Sequence, residues 1–407
     1  SHFEGVTWGY MNKIGAGTMQ LSGTNNNIGN ATVYSGKLLI KDSGIVNFGN
    51  GGLIINAGGQ AELNVSSGLQ PTASYVISGV GPLTKTGPGT VILTGANTYT
   101  GATSVTSGIL QIGNGGSTGS LGNTAVTIAR GATLQYYRND TGLTISHAIA
   151  GDGALKFLGT GNNGQSQYVY TGANTMAANS DGIVIDKARL AVSTQSNLGS
   201  NAPIVSVLDL GQLVIWAGNS FSNNMSLAGL GWREGDGSRL GAIHKSNWYN
   251  VGGTATLTGA ITLTADTRIS PWAGGDLVIS GVIDDGPNSF SLEKTGGDRL
   301  RLTGASTFDG TMKVSAGALT LANPTGPALY SGRSSGRVVI QSNGTSANFS
   351  GNPGTWFTGV ETAASNQLGS QVDVEFVSGR IHLFGKNLTI GNLFYSGTDP
   401  NASTIQN

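Results

Sequence analysis

Any chemistry in this chain has to come from carboxylates, hydroxyls and four histidines, because it contains no cysteine. Thiolate nucleophiles, thiolate metal sites and disulfides are thereby excluded. His2, His147, His244 and His382 are scattered, with no pair at a metal-ligand spacing, so each reads as a surface or turn residue. The run GRSSG at 332–336 has the G-x-S-x-G spelling of a hydrolase nucleophile. That motif works on a sharp strand-to-helix turn, and no helix pattern follows here, so a plain Ser/Gly corner is the better reading. Three carboxylate groupings remain: Asp373 with Glu375 on one strand face, Glu234 with Asp236 if their loop is extended, and adjacent Asp284 and Asp285. On stacked parallel strands such pairs can cleave polysaccharides or bind calcium, but solvated acidic positions are the commoner case, and the calcium nonapeptide pattern is absent. No catalytic, metal or cofactor-binding residue is assigned, and no cofactor is expected.

The aromatic residues offer more. Trp216, Trp232 and Trp248 are spaced by 16 residues each and Trp272 follows 24 later. Together with Arg233, His244 and Tyr249 they form a candidate glycan-contact series, with indole faces as platforms for sugar rings on one flank. The competing reading is burial, since Trp is well buried on average and its N–H then needs a partner.

The elements that would position these residues are short strands. Runs such as TMQLSG, ATVYSG and KLLIKD alternate apolar and polar residues with period two and are broken by Gly, Asn and Ser, with no helical period. Of 407 residues, 67 are Gly and 38% are hydrophobic, while only 10% are charged, with 21 basic and 21 acidic side chains. Low charge with regularly recurring apolar residues favours a folded repeat over disorder. Charge neutrality without a Lys/Arg run argues against nucleic acid as a partner. No apolar run approaches the roughly 18 residues of a membrane span, so no direct membrane insertion is expected of this stretch. The opening residues show neither a start Met nor a signal-peptide pattern and read as an excised piece of a longer protein.

Residues 83–113 repeat elsewhere. A shift of 72 lays Lys85, Gly87, Leu93, Gly101, Val105, Gly108 and Leu110 on Lys13, Gly15, Leu21, Gly29, Val33, Gly36 and Leu38. A shift of 209 lays the same set on Lys294, Gly296, Leu302, Gly310, Val314, Gly317 and Leu319, with Tyr99 on Phe308. A degraded copy spans 168–192. Corners and inward positions recur together, which a parallel β-helix requires and a sandwich does not. The fold class is therefore all-β, a parallel β-helix (β-solenoid), read as one continuous elongated rod over 1–407 with repeat copies near 11–40, 83–113, 168–192 and 292–321. At roughly 20 to 25 residues and about 4.8 Å per turn, it would hold roughly 16 to 20 turns over about 80 to 95 Å. Segment 203–285 is less regular and carries the loop GLGWREGDGSRLGAIHKSNWYNVGG, the best candidate for a decorated face. Neither end reads as a polar cap, so the stack is expected to continue or to pair with another copy.

With these residues in view, 83–113 resembles the passenger-associated repeat of bacterial autotransporters, with core L-x-K-x-G-x-G-x-L-x-L-x-G-x-N-x-Y-x-G. Val91 replaces the first Leu of the pair in this copy, Asn27 replaces the aromatic in the first copy, and Asp298 replaces a Gly in the last. The resemblance implies a right-handed β-helix, export to the bacterial cell surface or beyond, and a role for the repeats in presentation and in folding during secretion. It implies no particular activity, because such stalks carry adhesins, proteases and esterases alike. The leading expectation is a non-enzymatic adhesive or fibre-forming segment. Its partners would be host or bacterial surface glycans or proteins, or copies of itself end to end or side by side. The rivals are a carbohydrate-active β-helix enzyme, lyase or glycoside hydrolase, with acids converging in a groove, and a trimeric phage-like tail fibre with an apolar intersubunit face.

Overall fold

The computed structural model describes residues 9–23, 28–46, 48, 51–161, 165–246, 253–272, 274–333, 335–341, 347–348, 356–357, 359–398 and 403–407. Among these the chain forms short strands and turns, and the helical elements are two 3-10 segments, Asp42–Val46 and Gln195–Asn197. The fold is an all-β solenoid of stacked parallel strands, as the recurring corners require. Two compact units divide the chain: one holds residues up to Thr160 with Gln165–Val184 and Gly199–Pro203, the other Gly161–Gly164, Ile185–Leu198 and everything from Ile204.

In the first unit, Thr90–Leu93, Ile109–Ile112, Thr133–Tyr137 and Ala154–Leu158 stack in parallel register. Val91, Leu110, Leu134 and Leu155 fall in one inward column, and Leu93, Ile112, Tyr136 and Phe157 in the next, all at most 2% exposed. A second wall stacks Leu83–Thr86, Thr103–Val105 and Val126–Ile128. The second unit repeats the scheme. Ala255, Leu277, Leu300, Leu319, Val360 and Ile381 form one column of one wall. Leu292, Met312, Val338 and Val374 form a column of another. Period-two alternation produces both columns, since every second side chain of a strand faces the core. Each such aliphatic side chain contributes about 1.5–3 kcal/mol by leaving water.

The outer rows pair charges and hydroxyls across coils. Thr86 donates to Glu62 (2.7 Å), which also takes Lys37 Nζ (2.9 Å). Arg268 Nε donates to Glu293 (2.8 Å), whose other oxygen takes Ser315 Oγ (2.5 Å).

The lysine of the repeat lies inside. Lys85 shares its strand face with Leu83 and sits in register between Leu63 and Val105. Its Nζ is fully buried and donates to the carbonyls of Thr86 (2.8 Å), Gly87 (2.7 Å) and, one coil on, Ser107 (3.0 Å). Lys13 does the same with Ile14, Gly15 and Ser35, and Lys294 with Thr295, Gly296 and Ala316. An ammonium has three donors, so each lysine saturates itself on two consecutive turns and ties them together. Burial without a carboxylate in the cage lowers Lys85 to about 8, and burial, eased by Asp298, lowers Lys294 to about 7.

The cage also explains a repeat glycine. Gly108 has φ of +67°, and a Cβ there would lie 2.4 and 2.5 Å from the carbonyl oxygens of Gly89 and Gly87 and 2.9 Å from Lys85 Nζ. Gly317 stands in the same relation to Gly296 and Lys294, with contacts of 2.5 and 2.6 Å. In the central copy Asn97 adds a further tie between coils: it accepts from Ile77 N (2.7 Å) on the coil before and donates to Ser120 O (2.7 Å) on the coil after.

A fourth lysine uses this device outside the recognisable repeats. Lys245 is fully buried, and its Nζ donates to Gly274 O (2.5 Å) and Gly275 O (2.9 Å), with Asp298 at 3.5 Å. Ile243 and Lys245 have the spacing of Leu83 and Lys85, so the coil that carries the irregular segment is built on the same plan.

Candidate functional site

The strands Arg189–Val192, Gln212–Trp216 and Ile243–Ser246 stack in parallel, and Ile243–Ser246 continues onto Ile261–Pro271. Leu190, Leu213 and Ile243 face inward, which turns Val214 and His244 outward into one row. Between the strand Met225–Gly229 and this sheet the chain makes an excursion over 230–241. Gly231 bridges Gly241 in parallel fashion at its stem, and Arg233 bridges Arg239 in antiparallel fashion further out. The tip closes through Glu234 N to Ser238 O and Gly237 N to Glu234 O, both 2.9 Å. The stem needs glycine, because a Cβ on Gly231 would stand 2.1 Å from the Gly241 carbonyl oxygen.

This flap is pinned to the coils by its own side chains. Trp232 is completely buried, and the Arg189 guanidinium lies 4.3 Å from the centroid of its ring. Arg189 Nε donates to Gln212 Oε1 (2.7 Å), and Arg189 also pairs with Glu234 at the flap tip. Burial lowers Arg189 to about 10, so the guanidinium keeps its charge at neutral pH.

Flap and sheet enclose an open groove of about 710 Å³. Its walls include Arg189, Glu234, Asp236, Ser238, His244 and Trp272. Trp272 is 55% exposed and runs alongside Gly297. Asp236 accepts from both the amide (2.9 Å) and the hydroxyl (2.7 Å) of Ser238, and these bonds hold its carboxyl below the ordinary range. His244 is buried, with Nδ1 3.0 Å from the Ser270 carbonyl oxygen. A carbonyl only accepts, so Nδ1 carries the proton and Nε2 presents a lone pair. Burial first, and the Arg189 charge second, lower His244 to about 4, leaving a neutral imidazole at physiological pH.

Of the aromatic series, the structure brings Trp272 and His244 into this groove. Trp232 stands behind the flap as its anchor, with both ring and edge buried. Trp216 is half-buried on the same strand face as Val214, opposite Ser246, and is not among the groove residues. Arg233 is exposed in the flap, with its guanidinium towards Gly237, and also stands outside the lining. Trp248 and Tyr249 lie outside the described residues. Arg189 and Ser238 carried no sequence signal. Arg189 meets Glu234 across 45 residues of chain, which no local pattern announces.

The other carboxylates do not converge. Asp373 accepts from Asn392, and Glu375 is paired with Arg337 and Ser396, in the outer ladders. Asp284 and Asp285 point to different tasks: Asp285 is buried and accepts from Phe290 N (2.9 Å), while Asp284 takes the Thr307 hydroxyl. Ser334 of the GRSSG run lies outside the described residues, and Gly336 opens a strand, not a helix. Among the described residues no cluster of three His, Asp or Glu is placed to hold a metal ion.

The passenger-associated-transport-repeat family model matches this chain at residues 11–41, 83–112 and 292–321, the three stretches that carry the lysine cages. A protein of Brucella suis biovar 1 (strain 1330), described as adhesin BmaC autotransporter, is 27% identical over 275 residues. The chain thus carries three passenger-associated transport repeats and is similar to part of an autotransporter adhesin. Its place is accordingly the bacterial cell surface or the medium beyond it. The match to the Brucella protein takes in 61% of this chain and 8% of that protein, so the segment corresponds to a small part of that relative's length. No solved structure matches. The matched repeats leave out the flap, His244 and Trp272. The groove is thus an addition to the repeated plan.

Proposed function

We propose that the chain is an autotransporter passenger segment, adhesive and non-enzymatic, its stacked coils serving as a spacer and the groove beside the 230–241 flap as the contact face for surface glycans. The observation that supports this reading is Trp272, a large indole 55% exposed in the wall of a groove that it lines together with Val214, Leu240 and several polar side chains. An exposed aromatic platform with convergent hydrogen-bonding groups is the usual make-up of a small-ligand site, and about 710 Å³ falls in the usual size range of roughly 300–1,000 Å³. The likeness to a protein described as an adhesin points the same way. Against hydrolysis, Glu234 is bound to Arg189 and Asp236 is held ionised by Ser238, whereas glycoside cleavage needs one carboxyl kept protonated.

The test is adhesion of beads coated with the purified segment to glycan-bearing cells or glycan-coated glass. Native segment should bind, Trp272→Ala should bind at least tenfold less, and neither should release new sugar ends. Equal binding by Trp272→Ala would refute the groove as contact face.

A further inference from the structure

The reading of the groove as a glycan site fixes no class of glycan, but its hydrogen-bonding inventory does. Arg189, the guanidinium among the described lining residues, is committed: Nε is spent on Gln212, the fork on Glu234, and the plane on Trp232. Two carboxylates, Glu234 and Asp236, therefore stand against one neutralised cation. Both hydrogen bonds from Ser238 go to Oδ1 of Asp236, which leaves accepting capacity on Oδ2. The Ser238 hydroxyl is used as a donor to that same carboxylate. His244 gives its proton inward to Ser270, so what it can turn outward is an acceptor. Ser246 is the lining hydroxyl that can act either way.

The walls thus offer acceptors and a surplus negative charge beside an aromatic platform. A carboxylated or sulfated sugar would bring like charge and further acceptors into this setting, and unpaired acceptors facing one another cost free energy. From this juxtaposition we infer that the groove takes a saccharide whose hydroxyl or amino groups donate to Asp236, Glu234 and His244 while a ring face lies on Trp272, and that it rejects uronates and sulfated glycans. This rests on the glycan reading above.

Calorimetric titration of the intact segment separates the two ideas. The probes are N-acetylated chitohexaose, maltohexaose and deacetylated chitohexaose on one side, and oligogalacturonate and a heparin hexasaccharide on the other. At least one of the first group should bind, with neither anionic oligomer binding within tenfold of it. Asp236→Asn should weaken the neutral ligand about tenfold, the loss of one charge-assisted bond, and narrow the gap to the anionic ones. Tighter binding of oligogalacturonate or heparin, abolished by Trp272→Ala, would overturn the inference and leave the glycan groove standing. Failure of every oligomer to bind the native segment would sink the glycan reading itself, and this inference with it.

Discussion

Lys85 does at the scale of one residue what a hydrophobic side chain in its column could not: it fills the core position and satisfies carbonyls on two coils at once. Replacing it by Met keeps the stem and removes the donor. The Thr86 carbonyl keeps the Val65 amide (3.1 Å), but each carbonyl left without a partner costs about 1–3 kcal/mol, so Lys85→Met should destabilise the first unit by about 2 kcal/mol or more, measured by urea unfolding. Gly108→Ala should also destabilise, by at least about 1–2 kcal/mol, because it forces a side chain into a left-handed backbone and against the cage. The inward place of Lys85 was legible only in its two-residue spacing from Leu83, while its residue type argued for the surface. His244 gives the pH dependence at this scale. Burial, with the charges of Arg189 and Lys245 nearby, gives it a folded pKa of about 4 against about 6.5 unfolded, so between these values the unfolded chain binds more protons. Its contribution is complete above pH 6.5 and is lost as pH falls towards 4, on the order of 3 kcal/mol in all. Unfolding of native and His244→Gln segments between pH 4 and 7.5 should show that slope in the first and a flatter one in the second.

Among the elements, the flap depends on contacts that the strands supply. Arg189 stacks on Trp232 and holds Glu234, so the wall of the groove is fixed by a residue on a different coil. In Arg189→Met the Glu234 carboxylate loses its counter-ion and the indole its cation. Amide hydrogen exchange over 230–241 should then rise by at least tenfold, with exchange in the strands Ala255–Leu257 and Leu277–Ile279 unchanged. The sequence marked this loop as decoration because its glycines, charges and tryptophans break the strand rhythm. Which tryptophan would be anchor and which platform depended on the fold: the Trp232 side chain is buried under the flap, and Trp272 follows the last residue of the strand Ile261–Pro271 and is exposed. Even spacing along the chain is not even spacing on a solenoid whose coils differ in length.

On the scale of the whole molecule, a stack of coils is held by nearest-neighbour terms, and the shared corners made this much readable in advance. Val91 stands over Leu110 and Leu93 over Ile112 on successive coils, and the recurring corners required Gly at the turns. The hidden coil at Lys245 escaped notice because its turn glycines, Gly274 and Gly275, stand far from the lysine in sequence. Local coupling predicts local damage: Lys294→Met should raise hydrogen exchange in Leu292–Lys294 and Thr311–Val314 before it does so in Thr90–Leu93. The central claim is that the coils carry and the flap-edged groove binds. Its most direct test is glycan binding by a segment in which 232–240 are replaced by a short glycine bridge, with unfolding followed in parallel. The expected result is loss of binding with the cooperative unfolding of the coils retained. Undiminished binding by the flapless segment would contradict the account.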